Sequence, residues 1–144
     1  MMKYFFPSLL LLLAMVFLTG STVAGTQDQP PAADGNVQVV EVTAKKYEFD
    51  PSPIRVKQGR RIQLKITATD HAHGFRISPY PEGAEGDRRA GLVFSSAEDC
   101  VKVEKGQTST VEFVALTPGT YLFRCCVHCG WRHRSMTGTL IVEP

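Results

Sequence analysis

Thirteen residues near the carboxyl end, Arg124 to Met136 (RCCVHCGWRHRSM), hold three cysteines, two histidines, one methionine and three arginines. A packed core has no use for so many soft and nitrogenous donors in one short run, but a metal does. Cys125 and Cys129 are four residues apart, His133 follows by four and Met136 by three. Thiolate and thioether favour copper in its lower oxidation state and imidazole suits both states, so this mixture points to a copper that cycles between them. Zinc also takes Cys and His tetrahedrally, but a thioether serves it poorly, and Met136 therefore argues for copper. A second donor group stands in ATDHAHGFRI, where His71 and His73 precede Gly74 and Phe75. Two residues apart, they share a face of an extended segment, and either could reach the loop from a neighbouring strand.

The other cysteines narrow the chemistry further. Four cysteines in an exported protein would ordinarily form two disulfides, but three of them sit in one loop and only Cys100 lies outside it. At most one long-range bridge can form. Neighbours on an extended segment point oppositely, so Cys126 does not share a metal with Cys125. It either pairs with Cys100 or both remain thiols. A nucleophilic cysteine with His128 or His133 as its base would need an exposed thiolate, which a crowd of soft donors does not provide. The residues thus predict a carrier or metal binder and no enzyme. Sixteen basic against fourteen acidic side chains exclude nucleic acid as a partner on bulk charge, whereas Arg124, Arg132 and Arg134 crowd the donor loop.

The elements that position these donors are read from periodicity. Residues 1–24 carry one lysine, an apolar block from Phe5 to Leu18 and small residues ending in Thr22-Val23-Ala24, which is the pattern of a secretory signal peptide. The apolar block is short for a membrane span of ~20 residues, so an uncleaved anchor is the remaining route to a membrane. Residues 25–36 form a polar, Pro-rich leader, and 37–144 form one domain expected on the periplasmic or extracellular side. There apolar residues alternate in NVQVVEVTA (Val37 and Val39, then after a shift Val40 and Val42), GRRIQLKITA, TSTVEFVA, GTYLFRC and TGTLIVEP, with turn residues between. This predicts an all-β antiparallel sandwich. Ser78 to Cys100 breaks the rhythm and reads as an inserted surface loop or as a flap over the metal site.

At Tyr47-Glu-Phe49, Asp70-x-x-His73-Gly-Phe, Cys125-x3-Cys129-Gly-x2-His133-x2-Met136 and Gly138, the chain resembles the cupredoxin fold, a Greek-key β-sandwich. More closely, it resembles the dinuclear CuA domains of cytochrome c oxidase subunit II and nitrous-oxide reductase, over residues 37 to 143. The resemblance implies electron transfer. It also implies one copper on His73 and Met136 and a second on His133 and the Val127 carbonyl, with the Cys125 and Cys129 thiolates bridging both and His71 outside the ligand set. Cys125-x2-His128-x4-His133 is also similar to the mononuclear red-copper loop of nitrosocyanin, which has a carboxylate where this chain has His73. Capture and delivery of copper in the cell envelope is the alternative role. Oxidase surfaces at this site are acidic toward a basic cytochrome, so the arginines here imply an acidic redox partner.

Overall fold

The computed structural model describes residues 37–84 and 89–144; the expected signal peptide (1–24) and leader (25–36) lie outside the described residues. Ten strands form two five-stranded sheets. In chain order they are β1 (Val37–Lys45), β2 (Glu48–Asp50), β3 (Ile54–Lys57), β4 (Arg61–Ala68), β5 (His73–Ile77), β6 (Leu92–Phe94), β7 (Val101–Val103), β8 (Thr108–Ala115), β9 (Gly119–Arg124) and β10 (Thr137–Glu143). The first sheet runs β2-β1-β4-β8-β6 and the second β3-β10-β9-β5-β7. Among the described residues no helix is long and apolar enough to cross a membrane.

The all-β reading holds, but the sheets are mixed rather than purely antiparallel. β1 pairs parallel with β4, and β10 parallel with β3. The tight turns visible in the sequence join strands that are not always sheet neighbours, so local alternation identifies strands without giving their partners. The shift expected within β1 is also absent. Val40, Val42 and Ala44 keep one inward phase opposite Leu64, Ile66 and Ala68, and Val37 and Val39 point out. Gln38 occupies the inward phase at the rim. There its side-chain amide donates to the Arg55 carbonyl and its side-chain carbonyl accepts from the Lys57 N–H, tying β1 to β3 of the opposite sheet.

Between the sheets lie Ile62, Leu64, Ile66 and Ala68 of β4, Val111, Phe113 and Ala115 of β8, Tyr121 and Phe123 of β9, and Leu140 and Val142 of β10. A three-ring cluster, Phe49, Phe75 and Phe123, fills the core with centroids 5.0–5.6 Å apart. β5 departs from alternation: His73, Gly74, Phe75 and Ile77 are all buried. Such a run marks a strand covered on both faces, and here the cover on the outer face is the donor loop.

Candidate metal centre

Three strand ends bring the donors together. His73 opens β5, Cys125 follows the last residue of β9, and Met136 precedes β10. The Cys125 N–H donates to the Met136 carbonyl at 2.9 Å, closing the neck of the loop. Inside it, a single 3₁₀ turn over His133–Ser135 is held by N–H donation from Met136 to the His133 carbonyl and from His133 to the Gly130 carbonyl. Two glycines let the loop lie where it does. Gly130 has φ +135°, a conformation open to residues without a Cβ, and a Cβ there would meet the Tyr47 hydroxyl at 2.7 Å. Gly74 passes so close beneath the loop that a Cβ would meet Cys126 Sγ at 2.6 Å and the Val127 amide nitrogen at 2.7 Å.

His73, Cys125, Cys129 and Met136 are all buried, His73 completely. The donor atoms of His73, Cys125 and Cys129 lie within 4.8 Å of one another. The two thiol sulfurs are 3.6 Å apart, and Met136 Sδ stands 3.9 Å from Cys129 Sγ. The Cys125 thiol donates to the Val127 carbonyl at 3.1 Å and accepts from the Gly74 N–H at 3.4 Å. His133 lies outside the tight trio and is partly buried, but its Nδ1, like that of His73, is buried without a hydrogen-bond partner. Buried polar atoms are rarely left unpaired. Two orphaned imidazole nitrogens beside two thiols and a thioether are what a soft-metal site presents before its ion is counted, and the donor set fits copper.

Asp70 organises His73 from outside. Its Oδ1 lies 2.7 Å from His73 Nε2, and it also accepts from the backbone N–H of Lys46 and of His71, each at 2.8 Å. Burial alone would raise this carboxyl. The His73 hydrogen bond and the two backbone donors outweigh burial and bring it down to about 2. The carboxylate therefore takes the Nε2 proton as a hydrogen bond and leaves Nδ1 free to face the sulfurs, the arrangement that fixes a ligand tautomer. Cys129 moves the other way: burial, followed by the neighbouring Cys125 thiol, pushes it up to about 11. A metal cation held by these sulfurs would stabilise their thiolate forms.

Of the six residues expected to ligate, His73, Cys125, Cys129 and Met136 converge. Val127 brings its carbonyl to the Cys125 sulfur, and His133 stands at the edge of the group with its free Nδ1. His71 and His73 do not share a face, because β5 begins only at His73; His71 is exposed, with its Nδ1 3.9 Å from the outer oxygen of Asp70. His128 is exposed as well, its ring 4.9 Å from that of His133. Cys100 and Cys126 form a disulfide, leaving Cys125 and Cys129 as the free thiols.

The described part of the long connection is not a flap over the donors. Glu82 N–H donates to the Thr120 carbonyl, and Leu116 and Thr117 donate to the Gly91 carbonyl, which holds Glu82 and Gly91 near the start of β9, at the end of the sandwich away from Cys125. Only its return, at Asp99 and Cys100, reaches the loop. The role of Asp70 went unread in the sequence, although a carboxylate three residues before a candidate histidine was the available signal.

Comparison with known proteins agrees with this geometry. Residues 8–142 match the family model described as a cupredoxin-like domain. Cytochrome c oxidase subunit 2 of Thermus thermophilus is 34% identical over 108 residues, an alignment covering 75% of this chain and 67% of that subunit. Nitrous-oxide reductase of Stutzerimonas stutzeri is 28% identical over 121 residues, covering 81% of this chain but 16% of the enzyme. Among solved structures, the periplasmic domain of subunit II of cytochrome oxidase of Bradyrhizobium japonicum superposes with a TM-score of 0.55 at 16% identity, over 73% of this chain and 83% of that domain.

Proposed function

Because this chain belongs to the cupredoxin-like family, we propose that it is an exported electron-transfer protein whose centre holds two coppers. His73 and Met136 would hold one, His133 and the Val127 carbonyl would hold the other, and the thiolates of Cys125 and Cys129 would be shared by both. The observation that carries this reading is the pair of buried free sulfurs 3.6 Å apart with the His73 imidazole within 4.8 Å of them, and a second buried imidazole nitrogen without a hydrogen-bond partner on His133 of the same loop. Bound copper would supply one-electron chemistry, accepting an electron from one redox protein and passing it to another. The chain supplies a fixed frame: Asp70 holds the His73 ring, the Gly74 N–H holds the Cys125 sulfur, and the Phe49, Phe75 and Phe123 rings stiffen the floor and exclude water.

The exposed end of the loop supports a protein partner. Trp131 is 84% exposed, and the Arg132 guanidinium lies 5.7 Å from the ring centres of both Trp131 and Tyr47. With Arg124 and Arg134 also exposed at the donor loop, this end of the molecule suits an acidic redox protein, and its transfer rate would fall as salt screens the encounter. The export pattern of residues 1–24 supports a site outside the cytoplasm.

Metal analysis combined with electron spin resonance tests the centre. Two coppers per chain and a seven-line spectrum from one electron shared between them are expected. One copper with a four-line spectrum would instead favour a mononuclear site using His128, and rapid loss of copper to a chelator without a stable redox wave would favour copper handling.

A further inference from the structure

Beside the donor loop lies a cavity of about 320 Å³ lined by Arg76, Arg124, Cys125, Cys126, His133 and Arg134. Three of its six lining residues are arginines and none is acidic. Water occupies roughly 30 Å³ per molecule, so the space admits a small ion together with several waters. Arg76 and Arg124 are direct cross-strand partners in the β5/β9 pair, and like charges placed opposite one another on a sheet destabilise it. Arg76 is partly answered by Asp99, which pairs with its guanidinium through a carboxylate oxygen and accepts from its Nε through the backbone carbonyl. The Cys100–Cys126 disulfide fixes that aspartate, since Cys100 is its neighbour and Cys126 lines the cavity itself. Arg124 and Arg134 have no carboxylate partner among the described residues. The fold therefore holds uncompensated cationic charge, in planar forks suited to oxyanions, at a recess with a rigid floor.

We propose that this cavity is a binding site for a doubly charged tetrahedral oxyanion of the phosphate or sulfate class, held between Arg124 and Arg134 with Arg76 behind. An anion there offsets the repulsion between Arg76 and Arg124 and engages the Arg124 and Arg134 guanidinium groups, which have no carboxylate partner among the described residues. The proposal goes beyond the copper reading but shares its neighbourhood: Arg76 and Arg124 are placed by the β5/β9 pair and Arg134 by the 3₁₀ turn of the donor loop, while Cys125 and His133, which also line the cavity, are proposed copper ligands, so the metal-free chain separates the two readings.

The test is calorimetric titration of the full chain, prepared without metal, with inorganic phosphate and separately with sulfate, at constant ionic strength held by chloride. Saturable binding of one anion per chain is expected, weakened about tenfold or more by either Arg124→Gln or Arg134→Gln and unchanged by Lys65→Gln on the other sheet. Both arginines are exposed, so the variants fold, and an anion-induced rise in melting temperature that disappears in them provides a second readout. Absence of saturable binding, equal competition by chloride, or affinity that survives both arginine substitutions would overturn the site while leaving the metal centre standing.

Discussion

The two sheets of this sandwich obey different rules. On the first, β4 alternates without exception, and its outward charges are matched: Arg61 and Gln63 both reach Glu112 on β8, and Lys65 faces Glu41 on β1. On the second, four of the five β5 residues are buried, an arginine faces an arginine, and two imidazole nitrogens and two thiols are buried. A chain selected for stability alone would resemble the first sheet throughout. Local rules are broken where a site is built and compensated elsewhere. Here the compensations are the Asp70 carboxylate, the disulfide and the aromatic floor.

Breaking the disulfide gives the largest expected effect on that contrast. The bridge joins residues separated by 26 positions, and in the chain-entropy description closing a loop of this length stabilises by about 3.5 kcal/mol. The double variant Cys100→Ser, Cys126→Ser should lose stability of that order in denaturant unfolding. It should still bind copper, since the free thiols of Cys125 and Cys129 are untouched. Copper binding lost at a temperature where the variant remains folded would show that the bridge shapes the donor loop as well as anchoring it.

Asp70 comes next. Asp70→Asn keeps one oxygen acceptor but replaces the other with a donor and removes the charge that sets the His73 tautomer. Copper affinity measured by chelator competition should fall about 10- to 100-fold, the usual consequence of losing such an outer partner. Unchanged affinity would mean that burial of the ring by itself aims Nδ1 at the sulfurs.

Much of this was legible in the sequence, for reasons that differ between the two sheets. β4, β8, β9 and β10 follow from period-two alternation because each shows one face to the core. β5 was hidden, since a strand covered by the donor loop has no polar face to alternate with, and His73-Gly74-Phe75 reads as a motif rather than a strand. β2, β3, β6 and β7, three or four residues each, are too short to display a period. The parallel pairings were out of reach because register across sheet neighbours is a tertiary choice. For the site, donor types and spacing named the converging residues, whereas the orphaned Nδ1 atoms, the Asp70 contact and the cationic cavity arise only when strands distant in sequence meet.

The smallest expected effect lies on the first sheet and shows what ordinary charge pairing contributes there. The Glu112 carboxyl is lowered below its usual value, first by the Gln63 hydrogen bond, against burial, with help from Ser95 and Arg61. A carboxyl lowered in the folded state stabilises when ionised, above its unfolded pKa of about 4.3, and that contribution is lost as pH falls through the lowered folded value. Glu112→Gln should therefore cost stability at neutral pH, by no more than about 1 kcal/mol for a partly exposed pair, and the difference from the parent should shrink as pH is taken below about 4. Paired unfolding curves at pH 7 and pH 3 measure both values. A deficit that persists undiminished in acid would mean that Glu112 acts through packing and neutral hydrogen bonds, and that charge matching on this sheet is a consequence of its regular register rather than a source of its stability.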